Sequence, residues 1–229
     1  MFPLFSSFGT HSVGLPPQAR ALRDIYALSA LCLISTMAGA SLGLCWGPLQ
    51  DLRGWQGLVL VAAAVAGMGA LLAAMAFRER SAWGSTWLVA HTFLLGGLLS
   101  QAMGMALAPA QALALVLTVF SATSTGYFTV AARVHATKRE MPRNEQALAT
   151  AVALLAGLAL AALLVQPGPL VLTLAALGSA GSFLFVGTGI ERIQKGRRPN
   201  VVRAALACHS NIVSAVFGIV LIWGLVKTA

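Results

Sequence analysis

The stretch GIERIQKGRRPNVVRAALACHSNIVS, residues 189–214, starts as a basic loop and runs directly into an apolar segment. Arg192, Lys195, Arg197 and Arg198 crowd the loop, and after Arg203 no Asp, Glu, Lys or Arg occurs before Lys227. An uncharged run of roughly twenty residues is what a helix needs to cross a bilayer. Read this way, Cys208, His209, Ser210 and Asn211 lie within the membrane, where a polar group without a partner is costly. They are therefore either a working site or a packing device.

Composition extends the same reading to the whole chain. Of 229 residues, 58% are hydrophobic and 9% charged, with a mean hydropathy of +0.83; soluble domains carry about a quarter charged residues. Residues 1–21 hold Gly, Ser and the pair Pro16-Pro17 and read as a flexible cytoplasmic tail. Residues 22–229 then form a membrane domain of seven spans, near 22–46, 57–77, 86–108, 110–132, 146–165, 169–190 and 201–226. Pro48, Pro109 and Pro167-Gly168-Pro169 fall at the joints, where a missing amide donor matters least. The first span is too long for the apolar region of a cleaved signal peptide and reads as retained. The expected fold is an all-α, seven-helix integral membrane bundle.

Basic residues set its orientation. Arg20, Arg23, Arg78, Arg80, Arg133, Lys138, Arg139, Arg143, Arg192, Lys195, Arg197, Arg198 and Arg203 fall on one side, leaving Arg53 and Lys227 on the other, which accounts for all 15. The positive-inside rule then gives a cytoplasmic N-terminus and an outer C-terminus. The net charge of +9 belongs to these loops, so nucleic acid is not an expected partner. Trp46, Trp55 and Trp223 mark the outer interface, Trp83 and Trp87 the inner one.

Catalytic motifs do not survive inspection. GASLG, residues 39–43, fits the GxSxG pattern, but that motif needs a strand–turn–helix elbow and here it lies inside a span. Cys32, Cys45 and Cys208 have no CxxC spacing, so neither a zinc site nor a disulfide framework is expected. No enzyme activity, cofactor or metal follows from the sequence. Gly39/Gly43, Ser100/Gly104 and Gly178-Ser179-Ala180-Gly181 are small residues at helix-packing spacing.

Three stretches carry a resemblance: LRDIYALSALCLISTMAGASLG in the first span, HTFLLGGLLSQAMGMALAPAQAL in the third and IERIQKGRRPNVVRAALACHSNIVS at the end. Together, in this order, they resemble the Bax inhibitor-1 family, and its bacterial YccA-like branch in particular. The resemblance implies a seven-helix fold with the last helix central, in the bacterial inner membrane. It also implies an ion path governed by two aspartates, and association with a membrane-bound AAA protease of the FtsH type. Gly189 stands where the first aspartate is expected and Asn211 where the second is. Asn can donate and accept hydrogen bonds but cannot supply the charged oxygen that a hard cation favours. Two roles follow as expectations: a non-enzymatic modulator of membrane protein quality control, or a Ca²⁺/H⁺ leak channel or transporter with a degenerate site.

The candidate polar path comprises Gly189, Asn211, Ser210, Ser214, Cys208, His91 and His209. At 100° per residue, Cys208, Ser210, Asn211 and Ser214 share one arc of the last helix, expected to face the bundle interior. His209 lies off that arc, beside Ala205, Ile212 and Val216. His91 and His209 both sit about 8–10 Å from the cytoplasmic end of their spans, so they are expected at similar depth.

Overall fold

The computed structural model describes residues 15–45, 57, 59, 62–69, 82–139, 142, 144–146, 148, 149, 151, 152, 155, 156, 159, 163 and 200–228. Four long helices dominate them: α1 (Pro17–Cys45), α2 (Ala82–Ala106), α3 (Pro109–Thr137) and α4 (Val201–Thr228). No strand occurs among the described residues. Residues 62–69 and the described residues from 144 to 163, 149 and 152 among them, are also helical.

Helix α1 begins five residues before the end of the expected tail. Pro17 occupies its first turn, where a fixed φ suits a helix and the absent N–H is one that would have no helical partner; the Arg20 amide donates to the Pro16 carbonyl at 2.9 Å. The Pro16-Pro17 pair therefore starts the helix and does not loosen the chain. Pro109 does the same for α3, preceded by Ala108 in extended conformation. Lys138 closes α3 in the left-handed region at φ 53°. Asn200 caps α4, its side-chain oxygen accepting the Arg203 amide at 3.1 Å, which satisfies one of the first-turn donors.

Helices α1 and α3, 29 residues each, are long and apolar enough to cross a membrane. At 1.5 Å per residue each is about 43 Å long, more than the hydrocarbon core of about 30 Å. The ends thus reach the headgroup region, where α1 carries Arg23 paired with Asp24 at 2.6 Å. Ile34, Leu42, Phe93, Leu117 and Phe128 point outward, as lipid-facing side chains do.

Helix α1 is the hub among the described helices. It packs along α2 and α3 and also touches α4, whereas α2 and α3 barely meet although only Leu107 and Ala108 separate them. Among the described helices α4 lies against α1 and α2; the expected central placement of the last helix also involves spans outside the described residues. The sixth expected span, 169–190, lies outside the described residues.

Two kinds of packing hold α1. Against α2, backbones touch: a Cβ on Gly39 would overlap the Phe93 carbonyl, one on Gly96 the Thr36 carbonyl, and one on Gly43 the Ser100 hydroxyl. Against α3 the contact is made of bulk, with Leu22, Ile25 and Leu33 of α1 in one buried cluster with Val116, Phe120 and Tyr127. The Tyr26 and Tyr127 rings meet edge-to-face at 5.3 Å, the geometry the ring quadrupoles favour.

Candidate functional site

The polar residues of α1, α2 and α4 converge on Thr36. Its hydroxyl lies 3.0 Å from the Cys32 carbonyl, 2.9 Å from the Thr92 carbonyl and 2.6 Å from His209 Nε2. A hydroxyl has one proton, and both carbonyls can only accept. That proton goes either to a carbonyl, with His209 donating Nε2–H to the Thr36 oxygen, or to His209 Nε2 itself, according to the tautomer of the ring. In either case the arrangement joins three helices at one oxygen atom.

Helix α4 presents His209 inward because its inner face is Ala205, Cys208, Ile212 and Val216, all buried, at the spacing of one helical face. His209 is fully buried. The sequence expectation put His209 off the interior arc and Cys208, Ser210, Asn211 and Ser214 on it; Cys208 is indeed buried, but His209 joins it and Ser214 does not. Ser210 is half-buried and Ser214 exposed. Ser210 satisfies itself by donating to the Leu206 and Ala207 carbonyls of its own helix, at 2.8 and 3.2 Å. A serine bonded back to the preceding turn needs no neighbour, so polarity alone did not turn that arc inward. The Asn211 side chain and Gly189 lie outside the described residues.

His91 is buried on α2, one residue before Thr92. A Cβ on Gly69 would lie 3.3 Å from its Cε1, so the ring packs on the glycine of the helical residues 62–69. His91 lies within electrostatic reach of His209, as the similar expected depths require. Cys208 and Cys32 are buried free thiols, with the Ser29 and Thr92 side chains beside them respectively. Ser41 lies within unbroken helix, without the elbow a nucleophilic serine of GxSxG type needs.

Four further groups were not singled out in the sequence. Thr36 and Thr92 form the node itself. On the opposite flank of α1, Ser124 donates to the Ala30 carbonyl at 3.3 Å and the buried Tyr127 hydroxyl has no hydrogen-bond partner among the described residues. Thr36, Ser124 and Tyr127 each place a hydroxyl inside an otherwise apolar span, which was the available signal; Thr92 enters the node by its backbone carbonyl, its own hydroxyl donating to the Val89 carbonyl.

Chemically the node can bind and orient. Among the described residues no three of His, Cys, Asp and Glu are grouped to hold a metal ion. What it does hold is the α1–α2–α4 junction. Residues 18–225 match the family model described as "Inhibitor of apoptosis-promoting Bax1". The chain belongs to the Bax inhibitor-1 family. With its long apolar helices it is a Bax inhibitor-like membrane protein. No curated protein and no solved structure matches it closely enough to be called similar.

Proposed function

We propose that this Bax inhibitor-1 family protein is a non-enzymatic modulator in the bacterial inner membrane, acting by binding a membrane-bound AAA protease of the FtsH type. In this reading it has seven spans, a cytoplasmic N-terminus and an outer C-terminus. The observation that carries it is the Thr36 node: one hydroxyl of α1 bonds the Thr92 carbonyl of α2 and the His209 ring of α4. Polar groups used in this way join helices; they do not coordinate a passing ion. The sequence adds Gly189 and Asn211 at the positions where the family pattern places carboxylates, which removes the charged oxygens a Ca²⁺ path would use.

The full chain, tagged and extracted in mild detergent from its native membrane, should retain the protease in near-stoichiometric amount. Absence of the protease, together with Ca²⁺ flux in liposomes containing only this protein, would replace the modulator by a leak channel. Topology is tested separately. A cytoplasm-active reporter should be on when fused after Arg80, Arg143 or Arg198 and off after Arg53, Pro109 or Thr228. A cytoplasmic C-terminus would remove one of the seven spans.

A further inference from the structure

Helix α3 carries no Asp, Glu, Lys or Arg from Pro109 to Ala132, and Arg133 is its first charged residue. At 1.5 Å per residue that uncharged run is about 36 Å long, enough for the hydrocarbon core of about 30 Å. Arg133 therefore stands at the edge of the hydrocarbon, and Lys138 and Arg139 lie about 8 Å beyond it, in the headgroup layer. Val134 is the last buried residue of the helix; His135 to Arg139 are all exposed. Arg133 is paired with Glu145 at 2.9 Å, whereas neither Lys138 nor Arg139 makes an ion pair among the described residues. Over residues 133–145 the basic Arg133, Lys138, Arg139 and Arg143 outnumber the acidic Glu140 and Glu145, which leaves this end of α3 positive.

Lys138 is also the one non-glycine residue with a positive φ, 53°, among the described residues. A side chain there is strained, and a helix that ends in the left-handed region usually does so on glycine. A basic residue near a helix C-terminus complements the dipole, but one within the last turn would do so without strain. We propose that the end of α3 is a binding site for the headgroup of an anionic phospholipid, Lys138 and Arg139 donating charge-assisted hydrogen bonds to its phosphate oxygens. His135 adds a ring N–H at the same end. A zwitterionic lipid brings the same phosphate with a cation of its own attached, so the excess positive charge selects the anionic kind. The site goes beyond the modulator reading and does not depend on it.

The test places the full chain in phosphatidylcholine vesicles with a small share of phosphatidylglycerol that carries a photoactivated diazirine in its headgroup. After illumination, mass spectrometry of peptides should find the label concentrated on residues 133–139. A phosphatidylcholine probe of the same design should label that peptide several-fold less. Lys138→Gly relieves the positive φ, so the variant should be at least as stable as the parent and a loss of labelling cannot come from unfolding. Its labelling of this peptide should fall about fivefold, the effect of one basic residue near an anionic surface. Arg203→Gln removes an equally exposed charge from α4 and should leave the labelling of α3 within about twofold. Equal labelling by the two probes would overturn the site, as would a Lys138→Gly protein labelled like the parent. Equal losses in Lys138→Gly and Arg203→Gln would also overturn it, by showing a diffuse attraction shared by all the basic residues.

Discussion

The two long seams of α1 solve one problem by opposite means. Toward α2 the helix offers Gly39 and Gly43, and α2 answers with Gly96 and Ser100, so the carbonyls of Phe93 and Thr36 press on the facing glycines. Toward α3 it offers Leu22, Ile25 and Leu33 against Val116, Phe120 and Tyr127. Within a membrane the lipid is as apolar as leucine, so burial alone gives helices little reason to associate. The glycine seam gains from close backbone approach. The aromatic seam gains from dispersion contacts among large side chains. The first tolerates no added atom, whereas the second suffers mainly from atoms removed.

That contrast predicts a ranking of effects on unfolding stability in mild detergent. Gly96→Val should be the most damaging, at about 3 kcal/mol or more, because the new side chain must push against the Thr36 backbone. Gly67→Ala is its control: nothing lies within 4 Å of the added methyl, and stability should hold or rise by the helix propensity difference of up to about 1 kcal/mol. Equal losses in the two variants would mean that glycine matters here through the backbone and not through contact. Phe120→Ala should come next on the aromatic seam, at about 2 kcal/mol, below the roughly 3–5 of a soluble core because lipid is itself apolar and mainly the cavity cost remains. If its loss exceeds that of Gly96→Val, the order of the two seams is inverted.

Smaller effects sharpen the comparison at the junction that neither seam explains. Thr36→Val keeps the shape of the side chain and removes the oxygen that bonds His209, for an expected loss of about 1 kcal/mol, typical of hydrogen bonds between membrane helices. Chemical denaturation would detect it; a variant as stable as the parent would mean that the Thr36–His209 bond contributes nothing. Last comes Glu145→Gln, which breaks the exposed pair with Arg133 at 2.9 Å. It should cost at most a few tenths of a kcal/mol, and a loss rivalling Thr36→Val would show that this pair anchors more than its exposure suggests.

The sequence showed where helices begin far better than which way they face. Pro109 and Asn200-Val201 punctuate the chain chemically, and α3 and α4 start there. Pro16-Pro17 carried the same kind of signal, but it sat in a Gly- and Ser-containing stretch whose overall composition reads as a tail. Facing is harder because a membrane helix can be apolar all round, so the amphipathic contrast that orients a helix in water is weak. Gly39 and Gly43 were legible as a contact surface, but their partner on α2 proved to include Gly96 as well as the expected Ser100. The candidate site suffered most. His209 was read as pointing away from the interior because the serines beside it looked more in need of partners, yet Ser210 satisfies itself and the imidazole cannot. Depth is read from helix rise alone; both histidines are buried and within electrostatic reach of each other.

Helices α2 and α3 are joined by two residues and hardly touch each other. A newly inserted α2–α3 hairpin is therefore an open fork, unable to close on itself and lacking most of the contacts it will have. The prong that fills it, α1, lies upstream in the chain and leaves the ribosome first. Order of synthesis thus matches order of need: when the fork enters the bilayer, its occupant is already there. A chain made with the same helices in a permuted order, α1 last, would leave that fork gaping in the membrane throughout translation and exposed to the wrong partners.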